Sequence, residues 1–131
     1  MKDVQKGLKK PLKELIGLRD ITEIYLLREC AIRCKAAYKK CLERKLKDPA
    51  LICAECIEIC DLSVKFLTCN SEFSTQIIKL NKLICERCEE ECLKIDEEEC
   101  QLCARECRRC IDYFSFPKSK RVTLKIDLDL V

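Results

Sequence analysis

From about residue 20 to residue 113, apolar and cysteine positions recur three and four residues apart, which is the spacing of one face of an α-helix. This stretch contains no glycine and a single proline, Pro49, so little in it interrupts a helix. The pattern predicts four helices, at about 20–46, 49–68, 72–94 and 97–113. Four helices joined by short loops fold most simply as an up-down-up-down bundle, so we expect an all-α protein.

Each predicted boundary carries a helix-start signal. In a capping box, a short polar side chain and a glutamate three residues later bond free N–H groups of the first turn. In a second signal, an N-cap residue precedes a proline at the first helical position. The signals are Asp20 with Glu23, Asp48 with Pro49, Ser71 after Asn70, and Asp96 with Glu99.

The two ends of the chain show different patterns. Residues 2–16 place apolar side chains on one helical face, which predicts an amphipathic N-terminal helix within residues 1–18. After Pro117, apolar and polar residues alternate, which is typical of a strand. Because a lone strand is not stable, the tail would pair with a sister chain or a partner's sheet, or form no ordered structure. The predicted parts are this helix, a bundle over 19–113 and an extended tail over 114–131.

Composition excludes most enzyme classes. The 131 residues include 14 cysteines, two glycines and no histidine. Without histidine there is no Ser/His/acid or Cys/His pair, and with two glycines there is no phosphate-binding loop. A net charge of +3 with few aromatic residues gives no reason to expect nucleic acid, and no apolar run approaches a membrane span. We expect a non-enzymatic cytosolic protein, and in that reducing compartment many cysteines indicate metal or redox work.

Thirteen of the cysteines form one stripe on each predicted helix, where a bundle normally places its apolar core. So many aligned thiols argue against simple core filling, although cysteine can act as a small buried hydrophobe. The candidate metal ligands are Cys30, Cys34, Cys41, Cys53, Cys56, Cys60, Cys85, Cys88, Cys92, Cys100, Cys103, Cys107 and Cys110. The remaining one, Cys69, falls far from partner thiols and is not expected to bind metal.

Antiparallel geometry predicts how the stripes meet, because residues equally far from a hairpin loop lie at the same height. The predicted layers are Cys41/Cys53/Cys92/Cys100, Cys56/Cys88/Cys103 and Cys34/Cys60/Cys85/Cys107, with Cys30 and Cys110 beyond them. The thiols would fill one half of the bundle. The other half would be closed by an apolar plug that includes Leu27, Leu67, Ile77 and Ile78.

Ligand softness favours multiple Cu(I) ions, because closely stacked thiolates suit a soft monovalent ion. Zinc prefers isolated tetrahedral sites that loops supply, whereas these cysteines lie on helices. An iron-sulfur electron carrier or a thiol redox protein is the alternative, but the Cys100–Cys110 spacing differs from the ferredoxin run. Disulfides stay possible, although neighbours on one helix bond poorly.

The cysteine register resembles that of the four-helix-bundle copper storage proteins, in particular their cytosolic bacterial branch. The stretches that carry the resemblance are CAIRCKAAYKKCLE, CIEICDLSVKF, NSEF and ICERCEEECLKIDEEECQLCARECRRC. The resemblance implies a bundle whose lumen binds many Cu(I) ions through cysteine thiolates, commonly as a tetramer. It implies copper storage or detoxification in the cytosol.

This chain departs from the family pattern at several positions of the cysteine stripe, where it has Glu23, Leu27, Ala37, Ile78 and Asn81. We therefore expect fewer copper sites, confined to the cysteine-rich half. The branch typically carries histidines before the fourth helix, where this chain is acidic over residues 96–99. These acids either draw cations toward the thiols or complement the helix dipole. The tail lies outside the resemblance and is either a dimerisation strand or a docking peptide for a partner.

Overall fold

The computed structural model describes residues 12–117, with side chains described from residue 21. Four helices are present in this range, and each packs on two neighbours, because the first and the last also contact each other. They are α1 (Leu12–Glu43), α2 (Lys47–Thr68), α3 (Ser74–Leu93) and α4 (Glu98–Ser115). Short loops over 44–46, 69–73 and 94–97 join them. The predicted all-α four-helix bundle is confirmed.

The start of α1 differs from the prediction. The helix begins at Leu12 and continues through Asp20, so the predicted start at Asp20 is wrong. Asp and Glu at capping-box spacing are also compatible with a helix interior, and here the preceding turn is already helical. The rest of the predicted N-terminal helix, residues 1–11, and the tail from residue 118 onward lie outside the described residues.

The other start signals lie close to helix starts but do not act as caps. The predicted N-cap Asp48 lies inside the first turn of α2, where its charge complements the helix dipole. At α4 the capping-box bond predicted for Asp96 is absent, because Glu97 holds the N-cap position without a side-chain hydrogen bond. The predicted capping by Ser71 is also wrong, because Phe73 holds the N-cap position of α3 without a side-chain cap hydrogen bond. Ser71 Oγ instead accepts a 3.0 Å hydrogen bond from the N–H of Phe73 in the turn before the helix.

The loop between α3 and α4 is held by a side chain that the sequence does not mark. Gln101 Nε2 donates to the carbonyl of Ile95 at 2.8 Å and to those of Cys92 and Leu93 at 3.4 Å. These carbonyls belong to the end of α3 and the loop after it, and those of Cys92 and Ile95 also accept backbone N–H bonds from Ile95 and Glu97. One α4 side chain therefore fixes the position of the neighbouring helix end.

The core is largely sulfur. All thirteen stripe cysteines have no solvent exposure, and the described helices bring them into one interior with apolar residues at both ends. At the end far from the 44–46 and 94–97 loops, Leu27 and Leu67 are buried and Ile78 packs against the core, while Ile77 is half-buried. The predicted plug is thus present, but it also contains four buried polar residues. These are Thr22, Glu23, Ser63 and Asn81.

Candidate metal centre

Ten cysteines form a continuous column of four overlapping quartets. Within each quartet every Sγ atom lies within 4.8 Å of the others, and each quartet draws on three helices. Consecutive quartets share two thiols, so no quartet is separate from the next. In order along the bundle they are Cys53/Cys88/Cys92/Cys103, Cys34/Cys88/Cys103/Cys107, Cys30/Cys34/Cys56/Cys107 and Cys30/Cys56/Cys60/Cys85.

The sulfur atoms lie close enough to bridge a common ion. The shortest separation joins Cys34 Sγ on α1 and Cys103 Sγ on α4, at 3.4 Å. Cys88 Sγ on α3 lies 3.7 Å from Cys103 Sγ and 4.0 Å from Cys53 Sγ on α2. All are thiols without a disulfide.

The predicted layers are only partly confirmed. The layer nearest the 44–46 and 94–97 loops has its expected pairs, Cys41 with Cys100 at 3.9 Å and Cys53 with Cys92 at 3.7 Å. Cys56, however, contacts Cys85 and Cys107 rather than the second-layer cysteines with which it was grouped. Helices in a bundle are offset along their axes, so equal distance from a loop does not give equal height.

Three of the thirteen stripe cysteines lie outside the quartets. Cys41 and Cys100 form a pair of their own at the end of the column. Cys110 lies at the opposite end, where its thiol donates to the carbonyl of Leu26 at 3.7 Å. Cys69 is exposed at the end of α2, apart from the column, as its sequence position indicated.

A small polar network closes the far end of the column. Asn81 Nδ2 donates to Ser63 Oγ at 3.2 Å and to Cys60 Sγ at 3.5 Å, and Asn81 Oδ1 accepts from the Cys85 thiol at 3.3 Å. All four side chains have no solvent exposure. The cysteine pattern does not mark Ser63, although this residue follows Cys60 by three positions on the same helical face. Amide and hydroxyl groups are hard ligands, so the soft column ends here.

The electrostatic state of the thiols depends on their depth and neighbours. Burial raises the pKa of Cys41, and burial with the nearby Cys41 raises the pKa of Cys100 to about 12. Inside the column, hydrogen bonds from Cys107, Cys34 and Cys53 lower the pKa of Cys103. Hydrogen bonds to Cys103 and other thiols raise the pKa of Cys107. Neighbouring thiols of the column therefore differ in how readily they lose a proton.

The acidic residues near the column are mostly engaged in ion pairs. Glu97 lies 3.5 Å from Arg44, and Glu99 lies 3.6 Å from Lys40, so both link α4 to α1. Glu89 accepts a hydrogen bond from the guanidinium of Arg108 at 2.7 Å. The basic end of α1 is thus partly neutralised by the start of α4.

The donor set indicates which ion fits. Closely packed sulfur donors without imidazole favour a soft ion, and shared thiolates favour several ions in a cluster. None of the helices in the described part of the chain has the length and apolar character that crossing a bilayer requires.

Comparison with known protein families and solved structures also indicates a soft metal ion held by cysteines. A family model described as "Copper storage protein" matches residues 21–114, which is the bundle itself. A protein of Bacillus subtilis (strain 168), YhjQ, described as an uncharacterized cysteine-rich protein, is 36% identical over 74 residues. That match covers 53% of this chain and 68% of the relative.

Two solved structures share the fold. The Cu(I)-bound copper storage protein BsCsp3 is 34% identical with a TM-score of 0.69, over 72% of this chain and 92% of that one. The apo form of copper storage protein 3 from Bacillus subtilis is 36% identical with a TM-score of 0.66, over 70% and 90%.

Proposed function

The chain belongs to the copper storage protein family, and we propose that it sequesters multiple Cu(I) ions inside its four-helix bundle. The observation that carries the proposal is the column of overlapping quartets, in which consecutive groups share two thiols. A shared thiolate can bridge two ions, so the column holds a chain of ions rather than one isolated site. The family stores a metal rather than catalysing a reaction, and we infer that this chain has no enzymatic activity.

We assign the ligand role to the thirteen buried cysteines. The ten quartet thiols would hold the ion cluster, and the Cys41–Cys100 pair and Cys110 would extend it at its two ends. Binding displaces thiol protons, so loading releases protons to solvent. Cys69 is excluded because it is exposed and apart from the column.

The alternative, an iron-sulfur carrier, is less well supported by this geometry. An iron-sulfur cluster takes its own set of cysteines, whereas six of the ten thiols here belong to two quartets each. A thiol redox buffer would use the same pairs as disulfides. The unpaired thiols and the match to the Cu(I)-bound BsCsp3 favour copper storage over both.

We further infer a cytosolic location, since fourteen free cysteines persist only in a reducing compartment. Outward-facing apolar side chains such as Ile32, Leu51 and Leu83 support assembly of a homodimer or homotetramer. The tail after residue 117 would pair with a sister chain or dock on a partner. Sedimentation of the full chain and of a chain ending at residue 117 tests both statements.

The test of the main proposal is an anaerobic Cu(I) titration of the reduced protein against a competing chelator, followed by metal analysis. We expect uptake of many equivalents per chain, with a capacity that Cys69→Ser leaves unchanged. Uptake that stops at a single ion, or protein purified with iron and sulfide, would contradict copper storage and favour the electron carrier.

A further inference from the structure

A cavity opens at the end of the bundle where α2 and α4 finish. Its volume is about 310 Å³, and all four helices contribute to its lining. The apolar part of the wall consists of Leu67 of α2, Ile78 of α3 and Phe114 of α4, while α1 contributes Glu23. A cavity of this size has room for a few side chains but not for a folded partner.

Two lysines give this cavity a basic opening. Lys79 is exposed and Lys82 is half-buried, and both line the cavity. Neither of them forms an ion pair with a residue that the structure describes. The side chain of Glu23 is only 1% exposed, so solvent at the opening meets the two cations. The cavity therefore suits a ligand that is apolar on one side and acidic on the other.

The sequence after α4 contains a segment with both properties. Residues 126–131 alternate between apolar and acidic side chains. In an extended chain Ile126, Leu128 and Leu130 lie on one face, and Asp127 and Asp129 lie on the other. The apolar face matches the wall of the cavity. The flexible four-carbon side chains of lysines at the opening can reach the two carboxylates.

A second surface groove of the described bundle does not match this segment. It lies along α2, and its lining includes Glu55, Glu58 and Asp61. Three carboxylates at this groove would repel Asp127 and Asp129, because like charges brought together in an interface cost free energy. Charge therefore selects the cavity with the two lysines.

The course of the chain after α4 favours docking on a sister chain over docking on the same chain. Phe116 has an extended backbone, with φ of −81° and ψ of 147°, and Pro117 follows it. A return to its own cavity would need a turn, yet residues 118–126 contain no glycine, proline, asparagine or aspartate. Residues 118–131 span up to about 45 Å when extended, which is enough to reach a neighbouring bundle.

From these observations we propose that the cavity is a docking site for residues 126–131 of a sister chain, whose Asp127 and Asp129 pair with Lys79 and Lys82. This inference rests on the proposed assembly of sister chains and is independent of copper binding. Reciprocal exchange joins two bundles, because each chain gives its own segment and receives that of the other.

Zero-length cross-linking of the reduced full chain tests the contact. ¹⁵N-labelled and unlabelled chains are unfolded together in urea, refolded as a mixture and treated with a carbodiimide, which joins a lysine amine to a carboxylate beside it. We expect peptides in which Lys79 or Lys82 of one isotope is linked to Asp127 or Asp129 of the other. Links only within one isotope would place the segment in its own cavity, and no links at these lysines would leave the cavity without this occupant. Either result overturns the proposal.

Charge reversal provides a second test by sedimentation of the full chain. Lys79→Glu/Lys82→Glu should weaken association about tenfold or more, because carboxylates then face carboxylates. Adding Asp127→Lys/Asp129→Lys to this variant restores opposite charges across the contact and should restore association. A fourfold variant that associates as weakly as the double variant would refute the pairing.

The matched control makes the same charge change at the opposite end of the bundle. Lys45→Glu/Lys47→Glu should leave association unchanged, and equal weakening by both lysine variants would show a general effect of net charge and refute the docking site. None of these substitutions removes a thiol, so copper capacity should stay that of the unmodified protein. The storage function is thus tested by the Cu(I) titration alone and can stand when the docking site fails.

Discussion

Cys100 shows how burial sets the proton state of a single ligand. Its thiol has no solvent exposure and lies beside Cys41, and together these raise its pKa from 9.0 to about 12. The folded protein therefore holds this proton at a pH where the unfolded chain has lost it. Between these two values the folded state binds more protons than the unfolded state, so stability falls as pH rises.

We therefore predict that the reduced apo protein loses stability progressively between pH 9 and about 12. Anaerobic urea unfolding at a series of pH values measures this loss. Cys100→Ala removes one of these groups and should weaken the dependence, while the buried Cys41 keeps part of it. Cys69→Ala, at an exposed position, should leave the dependence unchanged. A steeper fall in the Cys100 variant would contradict the assignment.

Asn81 provides a second prediction at the level of one residue. Asn81→Ala leaves Ser63 Oγ and the Cys85 thiol without their present partner inside a closed core. The loss of these bonds should lower the free energy of unfolding of the apo protein by about 1–3 kcal/mol. Urea unfolding measures it.

Ser63→Ala is the matched comparison, because Asn81 keeps its contacts with Cys60 and Cys85 in that variant. It should be the milder of the two substitutions. A larger loss for Ser63→Ala would show that the hydroxyl, not the amide, organises this end.

The burial of all thirteen stripe cysteines could be predicted from the sequence, because i, i+3 and i+4 spacing fixes a helical face regardless of tertiary detail. The polar network was harder to predict. Asn81 was recognised only as a departure from the stripe. Its hydrogen bond with Ser63 can be recognised only from the structure, in which α2 and α3 pack against each other.

At the scale of elements, the turn between α1 and α2 contains a strained position. Lys45 adopts a φ of 60°, in the left-handed region that a β-carbon disfavours. Lys45→Gly should therefore relieve this strain and stabilise the protein by roughly 0.5–1 kcal/mol. The entropy that glycine adds to the unfolded chain reduces this gain. Thermal unfolding of the apo protein tests this.

Asn70 is the internal control, with a φ of 55° in the α2–α3 loop. Asparagine tolerates this conformation better than lysine, so Asn70→Gly should gain less. A greater gain at Asn70 would indicate that the Lys45 side chain compensates its own strain.

Helix existence could be predicted better than helix starts, for a physical reason. The periodic stripe constrains a whole helix, whereas a cap depends on the conformation of one residue. Asp20 sits in an already helical segment and Asp48 falls within the first turn, so neither is free to act as an N-cap. Tertiary packing, including the Gln101 bonds to the end of α3, positions the actual ends.

At the scale of the whole molecule, copper should act as a set of cross-links. Each quartet joins three helices, so occupied quartets tie the bundle together through its axis. Since the unfolded chain cannot present this arrangement, binding stabilises the folded state. We predict that anaerobic Cu(I) loading clearly increases the Tm of the protein. Thermal unfolding monitored by the circular dichroism signal of the helices measures this increase.

A strong Cu(I) chelator should return the Tm to the apo value, which is the reversibility control. The Cys60→Ser/Cys85→Ser variant, with its last quartet broken, should gain less on loading than the unmodified protein. An unchanged Tm on full loading would mean that the ions bind outside the bundle axis.

The limits of prediction at this scale come from helix offset. The layers inferred from equal distances to the loops hold for the pairs Cys41–Cys100, Cys53–Cys92 and Cys88–Cys103. Cys56, in contrast, meets Cys85 and Cys107, because its helix is offset along its axis from the position that equal loop distances imply. The stripes alone indicate which residues face inward, and only the packed bundle shows which of them meet.

The complete burial of the sulfur column also bears on oxidative damage. Cu(I) in solution gives an electron to hydrogen peroxide and generates hydroxyl radicals. Peroxide has no surface contact with thirteen sulfur atoms that show no solvent exposure, so an ion held among them is separated from its oxidant. The same enclosure that holds the metal would protect nearby nucleic acids and lipids from radical attack, and the thiols themselves from oxidation.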